Sequence, residues 1–222
     1  MSRSDLENSS RIRLLEAAIF CFAEKGFDGT GIRDIALRAK ANSALVQYHF
    51  GGKTGLYAEV LRYIFTHDPV IVPELPADTS GPEAKAMAAR SLGELVANLL
   101  QETLHCAGQT EVDKAAMVLL NRELQAPRED MVGLIMEHLR PYVDHVRGCL
   151  RILRPDLGAG EAMDFTISIL GQMHHMHEDL AMVRLIRDEP DYPQDLQALS
   201  RHILRFCLHG LALPEAILGA ES

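Results

Sequence analysis

The chain has 222 residues, of which 47% are hydrophobic and 24% charged, a balance that excludes an intrinsically disordered protein. That length allows one large or two modest domains, each with a packed core. The formal net charge is −9, but residues 1–65 hold nine Lys/Arg against seven Asp/Glu, leaving thirteen against twenty-four for the rest, or +2 and −11. A mildly basic head on an acidic body suits a head that meets polyanions and a body that does not.

The start, MSRSDLENSSRIR, lacks the apolar centre of a secretory signal. No apolar run approaches the roughly 20 residues of a membrane span, so a cytoplasmic chain without a membrane partner is expected. The cysteines at 21, 106, 149 and 207 form no CxxC pair, which argues against a zinc framework or a redox motif and for free core thiols.

Helical spacing recurs along the chain and no run of alternating β-branched residues appears, so the expected fold class is all-α. A first helix is predicted over about Ser10 to Lys25, with Ile12, Leu15, Ile19 and Phe22 on one face and Gly26 as its stop. Thr30 is the expected N-cap of a short helix through Lys40, with Ile32, Ile35, Ala36 and Ala39 inward. Asn42 or Ser43 caps a third, very short helix, Ala44 to Phe50. Gly51-Gly52 separates it from a fourth, Lys53 to about His67. Pro69, Pro73, Pro76 and Pro82 with DTSG mark a linker, giving a head over 1–67 and a body over 68–222. In the body, amphipathic segments are expected over Glu83–Cys106, Glu111–Gln125, Arg128–Leu153, Gly160–Arg187 and Gln194–Leu211. Pro141 predicts a kink or split in the third of these.

The two short helices over 32–40 and 44–50 have the dimensions of a helix-turn-helix, whose second helix enters the major groove. With Leu45, Val46 and Phe50 as anchors, Ser43, Gln47, Tyr48 and His49 point outward. Gln pairs two-point with an adenine edge, and Tyr, His and Lys donate to phosphates.

The string TGIRDIALRAKANSALVQYHFGGKTGLY resembles the N-terminal signature of the TetR family of bacterial transcription regulators. The recurring positions are Thr30, Ile35-Ala36, Ala39, Tyr48, Phe50, Lys53 and Leu56. By position, the resemblance implies that Thr30 caps and touches phosphate and that Arg33 reaches a base. It places Asn42, Ser43, Ala44, Leu45 and Gln47 over base edges, and has Tyr48, His49 and Lys53 clamp the backbone of double-stranded DNA. Two positions depart from the pattern. Lys40 stands where the family usually has Gly, in a turn that favours positive φ, at a cost of about 1 kcal/mol that an extra cation near phosphate offsets. Gln47 replaces a common aromatic, so relatives do not supply the operator sequence.

A helix-turn-helix of this size reads only a few base pairs, so two copies on a palindromic operator are expected. The segment 160–187 carries one apolar stripe of Ile169, Met173, Met176, Leu180 and Val183, and a second face of Ile167, Gly171, Ala181 and Leu185. Together with 194–211 it is the expected homodimer interface, with Gly171, Met173, His177, Ala181 and Leu204 as candidate contacts. NRELQAP, LRPYVDHV and SILGQ in the body, with QYHF and GKTGLY in the head, resemble the CecR-type subgroup. That resemblance implies a small-molecule effector, with drug response or efflux control among the subgroup's functions. His105, Met117, Arg122, Glu123, Met131, Ile135 and His174 are the candidate ligand-binding residues, because methionine-rich apolar walls adapt to varied ligands.

The stretch QMHHMHED, 172–179, holds three histidines and two acids. On a helix His174, His177 and Glu178 converge, which fits packing at an interface, contact with an organic ligand, or first-shell chemistry for Zn, Ni or Fe. The pattern is not HExxH, and no second ligand motif, Gly-rich phosphate loop or nucleophile elbow accompanies it. A metal-dependent helical hydrolase and a helical interaction protein with a degenerate head are thus the rivals of a ligand-responsive repressor. No catalytic residue, metal site or cofactor is assigned.

Overall fold

A computed structural model describes the backbone of residues 3–67, 70–76, 80–106, 110–178 and 180–211, and the side chains of 9–66, 70–76, 80–102, 110–173 and 180–211. The elements are α1 (Arg3–Gly29), α2 (Ile32–Arg38), α3 (Ala44–Phe50), α4 (Lys53–His67), α5 (Gly81–Cys106), α6 (Glu111–Gln125), α7 (Val132–Leu153), α8 (Ala159–Glu178), α9 (Leu180–Arg187) and α10 (Leu196–Gly210). Among the described residues every regular element is a helix, and no helix is long and apolar enough to cross a membrane. The chain forms two compact units, residues 1–69 with 106–138, and residues 70–105 with 139–222.

In the first unit α1 packs against α2, α3, α4 and α6. Leu14, Ala18, Ile19, Phe22, Ile35, Val46, Leu56, Val60 and Leu61 are completely buried there, whereas Ile12, expected inward, is 47% exposed. Helical backbone geometry breaks at Gly26 (φ 71°, ψ 174°), the predicted stop, where a residue with a Cβ is disfavoured. The break admits an aromatic trio beyond it: Tyr57 meets Phe22 and Phe27 edge-on at 4.9 and 5.0 Å. α6 joins this layer through polar bonds as well. The Tyr57 hydroxyl donates to buried Glu123 at 2.5 Å, the other Glu123 oxygen accepts from the Arg128 amide at 2.8 Å, and Arg122 donates to the Phe22 carbonyl at 3.1 Å. Burial first, then the Glu123 carboxylate, pushes the Tyr57 pKa well up, so this hydroxyl remains a donor.

The second unit closes around Leu92, Leu95, Leu100, Val146, Leu150 and Leu153, with Ile169 and Met173 from α8 and Leu199, Ile203, Cys207 and Leu208 from α10. The predicted linker is partly tied down: Asn98 donates to the Ile71 carbonyl at 2.8 Å and Ser91 to that of Glu74 at 3.0 Å. Gly148 leaves room for Leu75, whose methyl lies only 2.4 Å from where a Cβ would sit. α7 runs unbroken through Pro141, so the expected split does not occur. The surrounding helix retains its other backbone bonds and tolerates the missing donor. Residues 160–187, expected as one helix, are helical as α8 and α9 up to and after residue 179, which lies outside the described residues.

Three cysteines are buried core thiols, as expected; Cys106 lies outside the described side chains. Burial pushes Cys149 up to about 12 and Cys207 up to about 11, which keeps both protonated and unreactive. Beside Cys149, buried His145 places Nε2 3.2 Å from Ser91 Oγ and 3.6 Å from Cys149 Sγ. Desolvation lowers the His145 pKa from 6.5, against the opposing influence of backbone groups at Ser91 and Pro73 and the Glu94 charge. The unfolded chain therefore binds more protons as pH falls below 6.5, and the stability present above that pH declines until the folded pKa is reached. Thermal unfolding midpoints are expected to fall on acidification through this window, and His145→Gln to flatten the decline. An unchanged slope in that variant contradicts the assignment.

Candidate nucleic-acid interface

The candidate interface is built on α2, the turn after it, and α3. Gly31, not Thr30, is the N-cap of α2, with extended geometry (φ −94°, ψ 147°) and an amide donating to the Asp34 carboxylate at 3.4 Å. Thr30 is only 2% exposed, and its hydroxyl hydrogen is shared between the Gly26 and Cys21 carbonyls at 2.7 and 2.9 Å. It closes the corner between α1 and α2, and its burial removes it from direct phosphate contact.

α2 ends in a Schellman motif. The Lys40 amide donates to the Leu37 carbonyl at 3.1 Å and the Ala41 amide to that of Ala36 at 2.9 Å, a pattern that requires a left-handed residue at 40. Lys40 has φ +50°, so the turn keeps the geometry that favours glycine. Asn42 then supplies the cap of α3, its Oδ1 accepting from the Ala44 amide at 2.9 Å, while Ser43 makes no side-chain cap bond. Gly51 in the left-handed region (φ 71°) closes α3 by donating to the Gln47 carbonyl at 3.0 Å.

Val46 and Phe50 are buried and hold α3 down, and Leu45 is half-buried. The opposite face is open: Asn42, Ser43, Ala44 and Gln47 are exposed, and Tyr48 is 71% exposed. His49 is half-buried and ties α3 to α1, its Nε2 3.2 Å from Ser10 Oγ. Lys53 lies with Nζ 4.4 Å from the centre of the Phe27 ring, which also carries the Arg128 guanidinium at 3.7 Å. On α2, Arg33 and Leu37 are exposed at i, i+4 spacing, which places them along one face, and Lys40 is exposed in the turn that follows. Leu37, 81% exposed, was not singled out from the sequence; its spacing from Arg33 was the available signal.

The cations divide in two. Arg11 and Arg62 both pair with Glu59, Lys25 pairs with Asp34, and Arg38 pairs with Glu24 while lying over the Phe20 ring at 4.4 Å. Among the described residues Arg33 and Lys40 have no carboxylate within ion-pair distance. Among the described residues, positive charge without a carboxylate partner thus lies on α2 at Arg33 and in the turn before α3 at Lys40.

Met117, Arg122, Glu123, Met131 and Ile135 belong to the first unit, where Glu123, Met131 and Ile135 are buried and Arg122 and Glu123 are held by the bonds above. α6, which carries Met117, Arg122 and Glu123, packs on α1 and α4. The side chains of His105, His174, His177 and Glu178 lie outside the described residues. Of the expected dimer contacts, Gly171 and Ala181 are exposed, but Met173 is 4% exposed in the chain's own core. Leu204 packs on the same core, a methyl 2.7 Å from where a Cβ on Gly93 would lie. The second face read from sequence is the open one: Ile167 and Leu185 are 62% and 75% exposed, joined by Ile186, Met182 and Phe206.

Residues 14–60 match the family model described as bacterial regulatory proteins of the tetR family, and residues 87–210, more than half of the chain, match the tetracyclin repressor-like C-terminal domain. The chain belongs to the TetR family. This TetR-family chain is 33% identical over 95 residues to the transcriptional repressor NicS of Pseudomonas putida, covering 43% of this chain and 42% of NicS. It is 46% identical over 66 residues to the repressor Rv3405c of Mycobacterium tuberculosis, covering 29% and 35% of the two chains. It thus spans less than half the length of either relative. The fold is shared more widely. A TetR-like regulator from Rhodococcus sp. RHA1 superposes with a TM-score of 0.60 at 16% identity, covering 91% of this chain and 96% of that one. AibR, solved with isovaleryl coenzyme A and operator DNA, gives 0.59 at 14% identity, covering 89% and 97%.

Proposed function

We propose that this TetR-family chain is a ligand-responsive DNA-binding regulator: a homodimeric repressor that leaves a palindromic operator when a small molecule binds its body. The observation that carries the reading is the anchored α3, with Gln47 and Tyr48 exposed on its free face, together with Arg33 and Lys40, which have no carboxylate partner among the described residues. Residues 1–67 read DNA and residues 68–222 hold the effector and the dimer interface, in the cytoplasm and without catalysis. Gln47 and Arg33 read base edges, Ser43 and Ala44 lie against bases, and Tyr48 and Lys53 set the register on phosphates. The exposed apolar residues Ile167 and Phe206, with Gly171 between turns of α8, suit a second copy of the chain. The repressor names of NicS and Rv3405c and the coenzyme A ester bound to AibR support the reading. The CecR-type assignment of the body belongs to the same proposal and rests on its three short strings.

Switching requires that the effector bind one state of the body more tightly than the other, favouring a spacing of the two heads that no longer spans successive major grooves. The test is to incubate ligand-free protein with sheared genomic DNA of its host and sequence what is retained. Enrichment of one palindromic site is expected; retention without sequence preference across a range of salt overturns the reading.

A further inference from the structure

Lys40 stands apart from every other residue in the left-handed region. Among the described residues the positive-φ positions are Gly26, Gly51, Gly52 and Gly81, together with Lys40 and Asp188. Asp tolerates this region because its short side chain bonds locally, but Lys has no such compensation. The chain therefore uses glycine where the corner and turn geometry of the head demands it, at Gly26, Gly51 and Gly52, and departs from that rule only at the turn preceding α3. The Schellman bonds from Lys40 and Ala41 rule out relief through a different turn, since they require the left-handed geometry.

Nothing described within the protein offsets this conformation. The Lys40 side chain is exposed and has no carboxylate partner among the described residues. Arg38, two residues earlier, is turned back to Glu24 and Phe20 on α1. Lys40 is exposed in the turn after α2, two residues before the Asn42 side chain that caps α3.

We propose that Lys40 is a DNA-phosphate contact retained at the expense of fold stability, so that the residue best for the turn is worse for binding. The inference rests on the regulator reading above and deepens it: Lys40 adds a backbone clamp at the entry of α3, strengthening attraction to any duplex without adding sequence preference. The ammonium releases counterions when it meets phosphate, which an exposed lysine does without a preformed pocket.

The test uses the full chain in three forms: wild type, Lys40→Gly and Lys40→Asn. Each is measured for unfolding equilibrium and for affinity, across a salt series, to the fragment retained from genomic DNA and to a scrambled duplex. Lys40→Gly is expected to raise the folding equilibrium constant about fivefold. Its affinity for both duplexes is expected to drop about three- to tenfold, with the salt slope shallower by about 1 per half-site. Lys40→Asn, neutral and tolerant of the turn, is expected to show the same binding loss, which separates lost charge from altered backbone freedom. If wild type retains a specific fragment and Lys40→Gly keeps both affinity and slope, the phosphate role is overturned. If Lys40→Gly loses affinity without gaining stability, the opposition between folding and binding is overturned. Failure of wild type to prefer any fragment instead overturns the regulator reading.

Discussion

Glu123→Ala is expected to destabilise the protein by about 3 kcal/mol, because it strands two buried donors at once. The Tyr57 hydroxyl and the Arg128 amide both end on this carboxylate, which is 3% exposed, and neither has another acceptor described. Glu123→Gln keeps one acceptor oxygen but turns an amide toward the second donor, so about half of that loss is expected. Tyr57→Phe leaves the carboxylate one bond short and should fall between wild type and Glu123→Ala. Chemical denaturation of the four proteins under one condition decides the matter, and a loss below about 1 kcal/mol for Glu123→Ala means that the pair is replaceable by water or repacking. The result also bears on function. α6 meets α1 and α4 through these bonds, and α4 follows directly on the Gly51-Gly52 turn that closes α3.

For DNA recognition the largest effect is expected from Gln47→Ala. A side chain that pairs two-point with a base contributes about 1–3 kcal/mol of discrimination, so each half-site should lose about 5- to 150-fold in affinity for the specific fragment. Affinity for a scrambled duplex should not change, since Gln47 carries no charge to exchange with counterions. Tyr48→Ala should instead weaken binding to both duplexes, as a side chain 71% exposed on α3 and suited to phosphate contact. Titration of both fragments with both variants separates the roles. Equal losses on the two duplexes for Gln47→Ala would exclude base reading.

Much of the head was legible in the sequence because its elements are punctuated by residues with narrow backbone preferences. Gly26 and Gly51-Gly52 fall where φ is positive, and α3 begins after the Asn42 side chain and ends at Gly51, where the sequence placed its boundaries. Thr30 was misread as a cap because a cap and a buried corner hydroxyl look alike in sequence: both precede a helix, and only the partner atoms distinguish them. Ile12 shares the helical spacing of Leu15 and Ile19 yet is 47% exposed, because periodicity marks a face and not how far along it burial extends.

The body was harder to read. Apolar spacing on α6 and at the start of α7 announced burial but not the partner: Met117, Glu123, Met131 and Ile135 all fall in the first unit, where the last three are buried. The two stripes of the 160–187 segment were both visible. Which one faced inward was not, since Ile169 and Ile167 are the same residue type two positions apart. The sequence by itself determined the helical class, the helix-turn-helix and the residues of its free face, because local backbone preference and helical period are properties of neighbours along the chain. Only the tertiary structure decided that Thr30 is sealed in a corner, that Glu123 is a structural acceptor, and that, among the described residues, Arg33 and Lys40 lack ion partners of the kind that neutralise Arg11, Lys25, Arg38 and Arg62. Each of these depends on which atoms from distant parts of the chain come within a few ångströms, and burial and pairing are set by that proximity rather than by residue type.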